Sequence, residues 1–197
     1  SSRATRGLGL VTRAALRTRR QELASDLERY RIALGLLELA HLSAPEEHEE
    51  GALFRWLEGN LELLQVGRAS PGVVAVAADL ALLGANGLAP ALGTCASCGR
   101  RCEERTGKVP FSTALGGRLC PSCSLAAAGR GNAASSLPLN VLRIAESLMV
   151  ATPAMLEHIR IEAGLLQRVR SFVEPFLEYH LETRLRSRRA RFASPQP

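Results

Sequence analysis

Residues 95–123 read Cys95-Ala-Ser-Cys98-Gly-Arg-Arg-Cys102-Glu-Glu-Arg-Thr-Gly-Lys-Val-Pro-Phe-Ser-Thr-Ala-Leu-Gly-Gly-Arg-Leu-Cys120-Pro-Ser-Cys123, and they hold all five cysteines of the 197-residue chain. Glycines and short polar pieces interrupt this stretch and leave it no helical period, which predicts loops and short hairpins. The sequence on either side repeats its apolar residues at intervals of three and four, the spacing of one helix face. The expected fold class is therefore mainly α, a helical bundle with an inserted ribbon that follows rules of its own.

Cys95-x-x-Cys98 and Cys120-x-x-Cys123 have the paired spacing by which four thiolates surround one tetrahedral Zn²⁺. Two intervening residues let a tight turn aim both sulfurs at one point, and Gly99 supplies the left-handed backbone that such a turn often needs. Gly116-Gly117 is a turn leading into the second pair. The stretch is too poor in apolar residues to order itself by burial, whereas structural zinc contributes roughly 10–16 kcal/mol in small peptide sites. One structural Zn²⁺ held by Cys95, Cys98, Cys120 and Cys123 is the expected cofactor; disulfides or bare thiols are the alternatives. Cys102, in the looser Cys98-x-x-x-Cys102 spacing, is expected to be a free thiol.

Outside the ribbon, Thr18-x-x-Gln21 has the spacing of a capping box. Leu23, Leu27, Tyr30, Leu34, Leu37 and His41 follow on one face, predicting an amphipathic helix over about 20–42. After acidic residues 46–50, Leu53, Trp56, Leu57, Leu61 and Leu64 form the stripe of a second helix that ends before Gly67. Trp56 and Phe54 are expected in the core. Ser70-Pro71 starts a third helix, apolar nearly all round and hence buried, which Gly84 and Gly87 stop. Pro138 to Val150 is the next. Thr152-Pro153 caps a final helical region in which Pro175 is expected to cause a kink or a break. The divisions are a remnant or linker over 1–19, bundle over 20–90, ribbon over 91–130, bundle over 131–190 and a tail over 191–197.

Charge and motifs narrow the function. With 46% hydrophobic and 22% charged residues the chain is globular. It has no apolar run of the roughly 18 residues needed to span a membrane and no signal-peptide core, so it is expected to be soluble and cytoplasmic. Lysine and arginine total 25 against 19 acidic residues, a net charge of +6, and Lys108 is the lone lysine. Four thiolates would leave a zinc ion no open position for water, so the site is structural rather than catalytic. His48-Glu-Glu50 upstream of a CxxC resembles a deaminase signature, but Thr94 and Leu119 stand where proline is required. His41, His158 and His180 are scattered on helical stretches. No nucleophile elbow, P-loop or dinucleotide fingerprint occurs, and no enzyme is expected.

Two clusters are candidates for contact with nucleic-acid phosphates. Arg184, Arg186, Arg188, Arg189 and Arg191 would wind round a helix end, where cations also complement the helix dipole. Arg100, Arg101 and Arg105 form a second basic spot, partly balanced by Glu103 and Glu104.

The run Asp79-Leu-Ala-Leu-Leu-Gly84 through Pro90, Cys95-Ala-Ser-Cys-Gly99, Phe111-Ser and Gly116-Gly-Arg-Leu-Cys120-Pro-Ser-Cys123 resembles the RecO family of bacterial DNA repair and recombination mediators. Gly7-Leu-Gly-Leu-Val-Thr12, Arg29-Tyr30 through Leu39, Tyr179-His-Leu181 and Arg186-Ser-Arg-Arg189 extend the resemblance over nearly the whole chain. It implies a non-catalytic protein that binds and anneals single-stranded DNA. It also implies partners: RecR, single-strand binding protein and, indirectly, RecA, in the nucleoid. Family members begin with an OB barrel, for which the chain has no room before the helix at about residue 20; residues 7–12 are expected to be a remnant leaving that barrel. Two other readings are a ribbon module that binds a protein partner without DNA, and a duplex-reading regulator, for which no recognition helix is found.

Overall fold

A computed structural model describes residues 13, 15, 16, 18–44, 51–131 and 134–189. The remnant at 7–12, the acidic segment at 46–50, Arg191 and the tail lie outside these, as does the Arg189 side chain. The elements run α1 (Gln21–Ser25), α2 (Leu27–Ser43), α3 (Gly51–Val66), α4 (Pro71–Ala85), β1 (Lys108–Ser112), β2 (Gly117–Arg118), α5 (Pro121–Ala128), β3 (Ser135–Pro138), α6 (Leu139–Met149), α7 (Pro153–His158), α8 (Ala163–His180) and α9 (Arg186–Arg189). No helix among the described residues is long and apolar enough to cross a membrane.

Helix α4 is the axis of the bundle. Gly72 to Leu80, Leu82 and Leu83 are all buried, and the helix packs against α2, α3, α6 and α8. An all-round apolar helix has no face to give to water, so the others must enclose it. Trp56 joins this core as expected, its indole Nε1 donating to the Ala78 carbonyl at 3.1 Å. Phe54, on the opposite side of α3, is instead exposed, so only one aromatic of that pair serves the core.

The first predicted helix is two. Thr18 makes no cap; Asp26 breaks the run, and its carboxylate accepts from the Arg29 amide to start α2. The apolar stripe also faces outward from α2: Leu27, Tyr30, Leu37 and His41 are exposed, and the buried side is Ala33, Gly35, Leu36 and Leu39. The helix is apolar on two sides, and the side with the small residues is the one that approaches its neighbours closely.

Ser70 starts α4 through its backbone carbonyl, which accepts from Val73 and Val74, and not through its hydroxyl. Thr152 caps α7 as read, its hydroxyl accepting from the Met155 amide at 3.3 Å. The last helical region then restarts at α8, where the Glu162 carboxylate accepts from Gly164 and Leu165. Pro175 does not break α8. It lies on the exposed side with Ser171, whose carbonyl it deprives of the usual donor, while buried Phe172, Val173, Phe176 and Leu177 pin the opposite side on the core.

A three-stranded antiparallel sheet in the order β2-β1-β3 joins the ribbon to the bundle. Val109 and Phe111 of β1 reach into the main core, with the Phe111 ring 5.3 Å from Phe172 and 5.9 Å from Phe176. At the end of α8, His180 Nε2 lies 2.9 Å from the Thr113 carbonyl in the β1–β2 turn.

Candidate metal centre

The first cysteine pair sits on a tight knuckle. The Cys95 amide donates to the Arg100 carbonyl and the Gly99 amide to the Cys95 carbonyl, both at 2.8 Å, and Thr94 bridges to Arg101 across the hairpin. Gly99 has φ +71°, the left-handed conformation expected of it. Loops and hairpins account for this half of the ribbon but not for the second. Cys120 is the N-cap of helix α5, Pro121 its first residue and Cys123 in its first turn, so a helix replaces the expected second loop. Proline at the first helical position costs no hydrogen bond, which lets a CPSC segment start a helix while turning both sulfurs the same way.

The halves are held in register by backbone contacts. Ala96 donates to the Arg118 carbonyl at 2.8 Å, and Arg118 to the Ala91 carbonyl at 2.8 Å. Gly117 is required here, because a Cβ would lie 2.4 Å from the Ala91 carbonyl oxygen. Cys95, Leu119, Cys120 and Ala127 form a small second core, with Cys102 and Cys123 packed against it.

The sulfurs of Cys95, Cys98, Cys120 and Cys123 come together with all four within 4.8 Å of one another, and Cys98 and Cys120 are 3.9 Å apart. Around a tetrahedral ion with metal–sulfur bonds of about 2.3 Å, sulfurs are separated by about 3.8 Å, so the donor set fits such an ion. No disulfide links any cysteine. Local donors favour the thiolate at Cys95 and Cys120. Burial alone would raise the Cys95 thiol, but the amides of Cys120, Cys98 and Ser97 outweigh it and bring it down. The Ser122 hydroxyl and the Cys123 amide bring Cys120 down to about 6, while hydrogen bonding with Cys120 pushes Cys123 up to about 12. Cys102 stands outside the four: burial raises its thiol, and its sulfur lies 3.9 Å from the Arg100 carbonyl.

The basic run has a different environment from the one its sequence suggests. Arg184 and Arg186 are exposed. Arg188 turns inward, its Nη1 and Nη2 donating at 2.6 and 2.5 Å to the two oxygens of Asp79, which is 1% exposed in the middle of α4. Glu38 accepts from the amides of Arg186 and Ser187 at 2.8 and 2.9 Å, and Leu185 is fully buried. Sequence reasoning missed Asp79 and Glu38. A signal for Asp79 was present: one carboxylate in an apolar helix needs a buried partner. In the ribbon, Arg100, Arg101 and Arg105 are exposed, and Glu104 pairs with buried Arg118.

The comparisons agree with this architecture. The family profile described as "Recombination protein O C terminal" matches residues 24–189. The chain is similar to "DNA repair protein RecO" of Moorella thermoacetica, 30% identical over 185 residues covering 94% of this chain and 67% of the relative. It is 27% identical to the protein of that name from Symbiobacterium thermophilum over 85% of this chain and 65% of the relative, and 32% identical to that of an Anaeromyxobacter species over 85% and 63%. The chain thus spans about two thirds of the length of these curated relatives.

Proposed function

The chain belongs to the RecO family, and on that premise we propose that it is a non-catalytic component of DNA repair and homologous recombination. In this reading it binds single-stranded DNA, promotes annealing, and acts with RecR and single-strand binding protein so that RecA can load. Its place is the cytoplasm, at the nucleoid. The division into bundle at 20–90 and 131–190 with a ribbon at 91–130 belongs to the same proposal.

The observation that carries it is the convergence of four cysteine sulfurs within 4.8 Å of one another in a chain that matches the family over residues 24–189. Zinc bound there by Cys95, Cys98, Cys120 and Cys123 would supply folding free energy and no reactive ligand position, because four thiolates complete its coordination. The chain's own residues then do the work: the Cys95–Arg100 knuckle and the start of α5 fix the sulfurs, and Phe111 seats the ribbon on α8.

Metal analysis tests this directly. The purified chain should carry about one Zn²⁺, and Cys95→Ser should lose the metal and the order of the ribbon while far-UV helicity persists. Metal-free protein with an equally protease-resistant ribbon would rule the centre out. A salt titration with single-stranded DNA tests the partner, since phosphate contacts are strongest at low salt. Absence of binding there would leave the competing reading, a module that binds protein partners only, which the internal use of Arg188 favours.

A further inference from the structure

The chain's surplus charge is unevenly placed. Residues 91–131 carry Arg100, Arg101, Arg105, Lys108, Arg118 and Arg130 against Glu103 and Glu104, a net +4 of the chain's +6 before the thiols are considered. A tetrathiolate around a divalent ion returns two negative charges, but in the ribbon's interior rather than on its surface. In the bundle, Arg20 is answered by Glu62, Arg68 by Glu157, Arg170 by Glu174 and Arg188 by Asp79, while the exposed arginines without an ion pair among the described residues, such as Arg55, Arg143, Arg168 and Arg184, are spread over separate elements. Among the described residues of the ribbon, Arg118 alone is so answered, by Glu104. Arg100, Arg101, Arg105, Lys108 and Arg130 are exposed and make no ion pair among the described residues. Glu104, one of the two acids between Arg101 and Arg105 in the chain, pairs with buried Arg118. The ribbon thus engages one of its two acids with an interior arginine.

We propose that the ribbon arginines Arg100, Arg101 and Arg105, and not the C-terminal run, are this chain's principal contact with the phosphate backbone of single-stranded DNA. The inference rests on the DNA-binding reading above and assigns it a surface. Arg100 and Arg101 belong to the knuckle that carries Cys95 and Cys98: the Arg100 carbonyl accepts from the Cys95 amide, and Arg101 bridges to Thr94. The metal that orders the cysteines therefore orders the arginines, and backbone contact becomes metal-dependent. A guanidinium on a preorganised turn meets a phosphate with two parallel donors and little loss of freedom. The C-terminal run is a poorer contact because Arg188 is committed to Asp79, which leaves exposed Arg184 and Arg186 without its guanidinium beside them.

Fluorescence anisotropy of a labelled oligothymidine, read across a salt series with the full chain, tests the assignment. The triple variant Arg100→Ser, Arg101→Ser, Arg105→Ser should retain its metal, bind at least about tenfold more weakly at low salt, and show a log–log salt slope shallower by about two, at roughly 0.7 per lost phosphate contact. Glu103→Arg, which adds charge at the same place, should bind more tightly with a steeper slope. The double variant Arg184→Ser, Arg186→Ser should stay within about twofold of the parent. Parent-like binding by the triple variant, or full affinity after the metal is chelated, would overturn the assignment while leaving the DNA-binding reading intact. A parent that binds no oligothymidine at low salt would overturn both. So would a polyglutamate peptide bound through the same three arginines in place of DNA, since the surface would then be a peptide site.

Discussion

Truncating Arg188 to alanine should cost about 3–5 kcal/mol of folding stability, because it strands the Asp79 carboxylate inside α4. The magnitude follows from the burial. The two side chains are 13% and 2% exposed and meet through two short, parallel hydrogen bonds. Burial pushes the Asp79 carboxyl up and the pull of Arg188 offsets this only in part, whereas burial of Arg188 is outweighed by Asp79, so removing the arginine leaves the carboxylate's desolvation unopposed. For a domain of this size such a loss lowers Tm by about 6–20 °C, at about 2–4 °C per kcal/mol. The control is Arg68→Ala, which breaks a pair whose arginine is 73% exposed and should change stability by no more than about 0.5 kcal/mol. The decisive variant replaces both partners, Asp79→Leu with Arg188→Met. It should recover most of the loss, since apolar groups of similar volume in place of a buried pair are neutral or stabilising by about 1–4 kcal/mol. Urea unfolding of the three proteins measures this. If Arg188→Ala unfolds like Arg68→Ala, the pair is not a buried one and the account of how α9 docks is wrong.

The α9 dock should also be sensitive to acid. The Glu38 carboxyl is held below its ordinary value; burial works against this, but the Ser187 hydroxyl and the amides of Ser187 and Arg186 prevail. A depressed folded value means that the stabilisation is complete above the unfolded value near 4.3 and is lost as pH falls through the lower folded one. Amide exchange at Arg186 and Ser187, corrected for intrinsic rates, should therefore accelerate selectively under acid, and Glu38→Gln should abolish the selectivity. Phe111→Ala should cost about 3–5 kcal/mol and loosen the ribbon from α8, seen as faster proteolysis within residues 91–131 at unchanged metal content. Gly117→Ala should strain the hairpin through its clash with the Ala91 carbonyl, and a chromogenic chelator should strip its metal faster than from the parent.

The legible parts of this chain are those where one residue type has one physical use. Four cysteines in two CxxC pairs, an apolar helix at 71–85 and a threonine cap at Thr152 each admit few alternatives, and each appears in place. The errors arise where two uses compete. Helix α2 has apolar residues on two sides, and periodicity cannot tell the stripe with large side chains from the one with small ones. Packing decides: Ala33 and Gly35 let neighbours approach, and a Cβ on Gly35 would come within 3.4 Å of Arg188 Nε. The Pro175 penalty is real but local, and four buried neighbours in α8 outweigh it. The basic run reads as a surface because arginine usually is one; its partners Asp79 and Glu38 lie 109 and 148 residues away from the groups that they bind, beyond any local pattern.

The same long-range pairing explains how a strongly basic chain can keep its cations in two roles. A helical bundle that buries α4 from Gly72 to Leu80 has no room there for an uncompensated carboxylate, so Asp79 requires Arg188, and Glu38 secures the turn that delivers it. Those arginines are structural by necessity. The ribbon has the opposite constraint: its core of Cys95, Leu119, Cys120 and Ala127 is small, and no buried acid among its described residues calls its exposed arginines inward. Its one buried cation, Arg118, takes Glu104 with it. A reversal of these roles would therefore need a change in the interior, not on the surface. Replacing Arg118 with an uncharged side chain of similar length should release Glu104 to face Arg101 and Arg105, and DNA binding should weaken although no exposed residue has changed.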